Sequence, residues 1–195
     1  MLKSYLNQQD IIKRTIHHEI GHWIMARHLG FDVGSIVIGM NNLNQIFGRA
    51  TVHPVPKSKF SSVDEVYDHL FKRITVLCAG VIADIEWHKK FASTNYEHKD
   101  TEFLYANGIM DNTGLSDRGK IDEHLFVMNG VLNTPSQDPT ENALQRQTIM
   151  LDAWNAASIF LDNNQDLFRL GELLVTDYFS NGIREFDKDY LMGSL

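Results

Sequence analysis

The sequence predicts a mainly α fold (α+β) with a small β-sheet near its start. Apolar residues recur at helical spacing in several long stretches, and two short stretches rich in β-branched residues follow the first of them. The sequence shows no internal repeat and no low-complexity tract. Its 195 residues suffice for one good hydrophobic core. We therefore expect a single domain over residues 1–195, made of a main part in residues 1–130 and a C-terminal helical layer in residues 131–195.

The first third of the chain predicts a helix and then a β-hairpin. Isoleucines recur every fourth residue from 12 to 24, so we expect a helix over residues 9–29 that ends at Gly30. Residues 33–40 and 47–55 are rich in valine and isoleucine or run from a glycine into prolines, and they predict two short strands. The asparagine-rich stretch 41–44 predicts the turn between them.

The rest of the chain predicts further helices. Ser62 and Glu65 form a capping-box pattern at the start of a largely buried helix over residues 62–87. Residues 92–120 are polar and contain several turn signals, and a helix is expected to begin near Asp117. After the loop 133–139, helix-favouring stretches at 140–160 and 165–178 predict the C-terminal helical layer.

Charge and composition argue against a nucleic-acid or membrane protein. The formal net charge is -7 and lysine and arginine form no dense stripe, so we expect no phosphate-binding surface. The N-terminus lacks a signal-peptide pattern, and no window approaches about 18 consecutive apolar residues. The single cysteine, Cys78, cannot form an intramolecular disulfide and fits a reducing compartment. We therefore expect a cytoplasmic protein with no membrane segment and no nucleic-acid partner.

The stretch His18-Glu19-Ile20-Gly21-His22 matches the pattern His-Glu-x-x-His on the predicted first helix. A spacing of four residues brings both imidazoles onto one helix face, within reach of a single zinc ion. Zinc lowers the pKa of a bound water toward about 7, and Glu19 is placed to take its proton as general base. The bulky, uncharged neighbours of the motif argue against a solvent-facing helix with two unrelated histidines. The pattern therefore predicts zinc hydrolase chemistry, with His18 and His22 as ligands.

Two further histidines lie near the motif. His17 is about 100° round the helix from His18, which favours packing or support of a ligand over direct binding. His28 occupies the position of the last histidine in the longer pattern His-Glu-x-x-His-x-x-Gly-x-x-His, but Met25 stands where that pattern has glycine. Since Met25 favours continued helix, we expect His28 to point away from the metal.

A catalytic zinc site normally has a third protein ligand. Glu86 on the second long helix is one candidate, although Asp84 or Glu86 could instead orient a ligand histidine. An aspartate in the polar stretch 111–117, Asp111 or Asp117, is another. Position along the chain does not choose among these candidates.

Several stretches of the chain resemble the peptidase domain of the FtsH family of ATP-dependent zinc metalloproteases, and together they cover nearly its whole length. The helix with residues 18–22 resembles that family's His-Glu-Ala-Gly-His helix, and residues 47–54 resemble its Leu-Gly-x-Thr strand that ends in proline. Residues 72–84 are similar to its Arg-Ile-x-Val-x-x-Gly-Gly-Arg-x-Ala-Glu helix, and residues 160–174 to its closing helices. The resemblance implies a zincin-like, FtsH-type metallopeptidase domain with its metal site in residues 1–130.

The resemblance also implies a third zinc ligand. In that family the ligand is an aspartate in a Thr-Gly-x-Ser-x-Asp segment, and residues 113–117 match it except that one residue before the aspartate is missing. This match selects Asp117. An ungapped comparison would instead place Arg118 at the ligand position, and arginine cannot bind zinc. Asp111, Asp122 and Glu86 remain the alternatives.

These features together predict a zinc-dependent metallopeptidase. The chain has no Gly-x-x-x-x-Gly-Lys-Ser/Thr loop, so we expect it to act on peptides or unfolded proteins unless a separate ATPase or adaptor delivers the substrate. Because that family forms a hexameric ring, the resemblance leaves open whether this chain forms a homo-oligomer. Two other interpretations are a zinc hydrolase of non-peptide amides and a catalytically silent metal-binding relative that acts as a regulatory or binding partner. The presence of Glu19 argues against the silent relative, because a structural zinc site needs no base.

Overall fold

Two long helices, α1 (Gln8–His28) and α2 (Val63–Phe91), form the centre of the fold. The computed structural model describes residues 7–91, 114–133, 136–162 and 164–195. The two helices approach closely at Gly21, where a Cβ atom would stand 2.5 Å from the carbonyl oxygen of Ala79. The lack of a side chain at Gly21 therefore lets the helix with the His-Glu-x-x-His motif lie directly against α2.

A three-stranded antiparallel sheet lies beside α1. Strands β1 (Asp32–Met40) and β2 (Ile46–His53) form the predicted hairpin, and Asn44 in its turn has a φ of 59°. Strand β3 (Glu185–Phe186) pairs with the other side of β1, which gives the order β2-β1-β3. Phe186 is buried and anchors this short strand. We did not expect β3 from the sequence, because two residues are too few to show the period of a strand.

The remaining helices surround the central pair. Helix α3 (Leu115–Leu132) and helix α4 (Pro139–Asp162) lie against α2 and against each other. Helix α5 (Gln165–Thr176) packs on α1 and continues into a π-helical turn, Asp177–Asn181. The short helix α6 (Lys188–Gly193) follows β3. Buried side chains from each of the helices described above and from β1 and β3 belong to one hydrophobic cluster.

The mainly helical fold with a small sheet is confirmed, and each predicted helix is present with small differences at its ends. The capping box of α2 forms only in part: the Glu65 amide donates to Ser62 Oγ at 3.2 Å, but the Glu65 carboxylate accepts from the amide and hydroxyl of Ser61. α2 extends beyond the predicted end at residue 87, and the predicted helix 165–178 changes to π-helical geometry after Thr176. Within the described ranges, no helix is long and apolar enough to cross a membrane.

Candidate metal centre

His18 and His22 lie one turn apart on α1, and both side chains are buried. Each ring uses its Nδ1 atom to contact α2. His18 Nδ1 lies 2.9 Å from Asp84 Oδ2, and His22 Nδ1 lies 2.8 Å from the carbonyl oxygen of Val76. Because a carboxylate and a carbonyl oxygen only accept hydrogen bonds, both Nδ1 atoms carry a proton and donate it. In neutral imidazoles, both Nε2 atoms are then free to act as lone-pair ligands.

Asp117 brings a third ligand atom to the two imidazoles. It lies in the first turn of α3, and its Oδ2 atom is 3.1 Å from His22 Nε2 and 3.4 Å from His18 Nε2. The two Nε2 atoms are 3.1 Å apart. Ligand atoms held at about 2.0–2.1 Å by a tetrahedral zinc lie about 3.3 Å from one another. The three separations are therefore compatible with one metal ion, and a tetrahedral zinc held by these three ligands would have its fourth position open.

The electrostatics of the cluster favour a cation. With neutral imidazoles, two lone pairs and a carboxylate oxygen face one another in a buried space, which is costly unless a positive charge balances them. Burial lowers the pKa of His18, but the carboxylates of Asp84 and Asp117 outweigh burial and raise that pKa well above its ordinary value. The same carboxylates favour a bound metal ion. Two imidazoles and one carboxylate are a ligand set that zinc accepts.

Asp117 is ionised and held from two sides. Burial raises its pKa, but the nearby imidazoles of His22 and His18 more than offset this effect and hold the pKa well below the ordinary range. Its Oδ1 atom lies 3.2 Å from the ammonium group of Lys120, while Oδ2 faces the histidines. The carboxylate therefore presents one oxygen to the metal position and keeps the other on Lys120.

Two glycines leave room for the centre. A Cβ atom at Gly80 on α2 would stand 2.4 Å from His22 Nε2 and 2.7 Å from His18 Nε2. A Cβ atom at Gly48 on β2 would stand 2.5 Å from Oε1 of Glu19. Such separations are shorter than nonbonded contacts allow, so a larger residue at either position would displace the side chains of the site.

Glu19 follows His18 on α1 and contacts strand β2. Its side chain is buried, and Oε2 accepts a hydrogen bond from the Ala50 amide at 2.6 Å. A carboxylate accepts through both oxygens, so this bond fixes the group and leaves Oε1 for a second donor such as water. Glu19 therefore lines the same cavity as the three ligand atoms with one carboxylate oxygen fixed by the backbone of β2.

The centre opens into a cavity of about 420 Å³ whose walls come from α1, β2, α2 and α3. His18, Glu19, His22 and Asp117 all line it. Basic side chains line it as well: Arg14, Arg49, Arg73 and Lys120. Arg14 is buried with its Nε atom 3.9 Å from Asp84 Oδ1, so the Asp84 carboxylate links Arg14 to His18. The cavity therefore places basic side chains beside the three ligand atoms and Glu19.

The structure brings none of the other described candidates to the three ligand atoms. Glu86 Oε1 forms an ion pair with Nζ of Lys89 on the same helix at 2.5 Å. Asp122 is exposed, and its Oδ2 atom lies 3.7 Å from Arg118 Nε. His28 is exposed and stacks on an aromatic ring of α4 at 4.1 Å between centroids, pointing away as expected. Asp111 lies outside the described residues. Asp84, expected as one of two residues that could orient a ligand, makes that contact with His18.

His17 lies on the packing side of α1. Its Nδ1 atom is 2.7 Å from the carbonyl oxygen of Lys13, and its ring contacts Phe91 and Phe168. Burial lowers the pKa of His17 to about 4, so the ring is neutral near pH 7. This placement agrees with the packing role that the helix angle predicts.

Several parts of the centre were not found from the sequence. The Val76 carbonyl and the Ala50 amide act through the backbone, which leaves no signal in the residue type. Gly48 and Gly80 act by having no side chain. The only visible sign was Gly80 itself, since a glycine inside an apolar helix often marks close packing or a functional site.

No protein-family model matches the chain, and no curated protein matches it either.

Proposed function

We propose that the protein is a zinc-dependent metallopeptidase that hydrolyses peptide bonds in peptides or unfolded proteins. The observation that carries the proposal is the cluster of His18, His22 and Asp117, with ligand atoms at tetrahedral spacing beside the Glu19 carboxylate. A structural zinc site would use four protein ligands and would need no base. Three ligands and a neighbouring carboxylate in an open cavity favour hydrolysis instead.

Each residue of the centre has a defined role in this proposal. Zinc, when bound, supplies activation of a water and polarisation of the scissile carbonyl. His18, His22 and Asp117 hold the ion. The Asp84 carboxylate and the Val76 carbonyl fix the orientation of the two imidazoles through their Nδ1 atoms. Contacts of this kind keep each ring in the tautomer that leaves Nε2 available as a ligand.

Glu19 handles the proton. The Ala50 amide holds Oε2, and Oε1 accepts the proton of the attacking water as general base. The same carboxyl group then delivers the proton to the leaving amine as general acid. Because the Ala50 contact does not involve Oε1, it can hold the side chain through both steps.

The edge of the sheet supports a peptide as the substrate. β2 is the outer strand in the order β2-β1-β3 and, in the described part of the chain, pairs only with β1. An extended peptide can add to such an edge through main-chain hydrogen bonds. Because the Ala50 amide of this strand contacts Glu19, a peptide along β2 would pass beside the base.

The resemblance to FtsH peptidase domains supports the same function, and a zincin-like fold is part of this proposal. The 195 residues carry no Gly-x-x-x-x-Gly-Lys-Ser/Thr loop, the pattern of a phosphate-binding ATPase loop. We accordingly propose peptides and already unfolded segments as substrates of the chain itself.

Metal content tests the ligand set without a known substrate. Purified protein should hold about one zinc per chain, and His22→Ala and Asp117→Asn should lose it. His28→Ala and Asp122→Asn are matched controls, since both side chains are exposed and outside the cluster, and both variants should keep the metal. Wild-type protein that binds no zinc even after incubation with the metal would refute the proposal.

Glu19→Gln tests the catalytic role separately. The variant should keep zinc but cleave an unfolded protein such as casein at least about a hundredfold more slowly, because an amide cannot accept the proton. Unchanged cleavage would refute the assignment of the base. A zinc-loaded wild type that hydrolyses small amides and no peptide would indicate the amide hydrolase instead, and one that hydrolyses neither would indicate a binding partner.

A further inference from the structure

One face of α2 supports the metal centre and continues beyond it. Val76, Gly80 and Asp84 contact or adjoin the two ligand histidines and recur every fourth residue. Arg73 precedes Val76 by three residues, so it lies on the same helix face. It lines the same cavity as the ligands. From the helical rise, the backbone of Arg73 is about 10 Å from that of Gly80.

Arg73 has an unusual environment for a charged side chain. It is half-buried, its guanidinium lies 5.8 Å from the centroid of the Phe31 ring, and it forms no ion pair with any residue that the structure describes. Its titratable neighbours are Asp117, whose carboxylate raises the pKa of Arg73 against the larger lowering effect of burial, and the histidines His69 and His124. Burial and then the Arg73 charge lower the pKa of both histidines, so neither adds charge near pH 7. A partly desolvated guanidinium that has no carboxylate in direct contact is a favourable place for an anionic ligand.

The acidic side chains of the cavity are already engaged. The Glu19 carboxylate accepts from Ala50, and Asp84 and Asp117 contact the two histidines. Four basic side chains and three acidic ones line the cavity, and a divalent metal would add two positive charges. The whole chain has a net charge of -7, so the positive sign is a local property of this cavity.

We propose that Arg73 is a specificity-determining residue that binds a carboxylate of the peptide substrate. Arg49 of β2 adds positive charge to the same cavity. This inference rests on the proposed metallopeptidase function and names its substrate class. About 10 Å along α2 corresponds to no more than about three residues of extended peptide, and the arginine side chain shortens the gap. The carboxylate therefore belongs to a residue within about two positions of the scissile bond, as an acidic side chain or as the chain terminus.

Matched peptides test the preference on the wild-type, zinc-loaded protein. One series places Glu or Gln at each of two positions on either side of the cleaved bond, and a second series ends in a free carboxylate or in an amide. We expect kcat/KM to be at least about tenfold higher for the charged member of one pair, as a charge-assisted, bidentate contact implies. A preference in the first series identifies a side chain, and in the second the chain terminus. Equal rates in every pair would overturn the proposal.

Substitution of Arg73 assigns the preference to this residue. Arg73→Gln should bring the ratio between charged and uncharged peptides close to one, and Arg73→Lys should restore part of it because the charge returns without the bidentate geometry. Arg27→Gln is the matched control: Arg27 is exposed near the end of α1 and outside the cavity, so the ratio should not change. A ratio that stays at its wild-type value in Arg73→Gln would overturn the proposal even if that variant cleaves slowly.

Peptide-binding measurements test the carboxylate site independently of peptidase activity. Fluorescent versions of the same peptides can be titrated into zinc-loaded Glu19→Gln protein, which binds without cleaving. At least about tenfold tighter binding of the charged member, lost in Glu19→Gln/Arg73→Gln, would support the carboxylate site even if no peptidase activity were found. Cleavage of peptides with no charge preference in either rate or binding would leave the peptidase standing and refute the carboxylate site.

Discussion

Gly80 lies where α2 passes so near the two ligand histidines that no side chain fits. In Gly80→Ala, the added Cβ atom would stand 2.4 Å from His22 Nε2, so the imidazoles must move out of tetrahedral spacing. We predict that zinc affinity falls by at least about tenfold, measured by competition with a chelator. Gly130→Ala is the control, since a Cβ atom there meets nothing within 4 Å, and it should bind zinc normally.

Gly48 provides the corresponding test for the base. A Cβ atom in Gly48→Ala would displace the Glu19 carboxylate, because the three atoms nearest to it all belong to Glu19. We predict full zinc content with a kcat lower by about tenfold or more, because a misplaced base transfers the proton poorly. Steady-state kinetics beside metal analysis would check this. Loss of zinc in this variant would show that Gly48 supports the ligands instead.

Substitution of Asp84 tests whether this carboxylate orients the ligand His18. Asp84→Asn keeps the size of the side chain but removes the charge that holds the His18 Nδ1 proton and lies beside Arg14. We predict a zinc affinity lower by about tenfold to a hundredfold, from a titration of metal-free protein. Glu86→Gln, two residues further along α2, is the matched control, because its carboxylate pairs within the helix. Equal losses in both variants would indicate a general effect of charge on α2.

At the scale of elements, α2 is the buried centre of the molecule. The reactivity of the Cys78 thiol on this helix measures how well it is buried. Cys78 is fully buried, and burial raises the pKa of its thiol well above the ordinary value. Since the thiolate is the reactive form, we predict that iodoacetamide at pH 8 labels folded protein at least about a hundredfold more slowly than unfolded protein. Mass spectrometry of both samples provides the measurement. Rapid labelling under native conditions would mean that α2 opens readily.

The elements that were predicted well are those whose signals are local. The isoleucines of α1 and the β-branched residues of the hairpin repeat within a few residues, so their periods are visible in the sequence. β3 is different, because only its pairing with β1 makes residues 185 and 186 a strand. The cap of α2 also shows this limit: Glu65 contacts Ser61, and residue types alone do not distinguish that serine from Ser62.

At the scale of the whole molecule, zinc would join α1 to α3. His18 and His22 belong to α1 and Asp117 to α3, whereas the main helix contacts of α3 are with α2 and α4. We predict that removal of the metal increases amide hydrogen exchange in the first turns of α3 more than in α1, which stays packed against α2, α5 and the sheet. Exchange measured by mass spectrometry with and without zinc would check this. A uniform change along the chain would contradict it.

The site as a whole was harder to predict than its motif. His18, Glu19 and His22 are close in sequence, and the helix period alone brings the two imidazoles together. Asp117 lies far along the chain from the motif, and no spacing rule selects it from Asp111, Asp122 and Glu86. In the structure its position follows from the start of α3 and from the packing of that helix on α2.

The separation of 95 residues between His22 and Asp117 has a consequence for an unfolded chain. Before folding, the third ligand samples a large volume, so its effective concentration at the histidine pair is low and the metal is held weakly. The carbonyl and carboxylate that orient the histidines come from α2, which is also far away in sequence. A nascent or damaged chain thus carries the His-Glu-x-x-His motif without the complete set of ligands, and the hydrolytic activity that we propose would depend on completed tertiary structure.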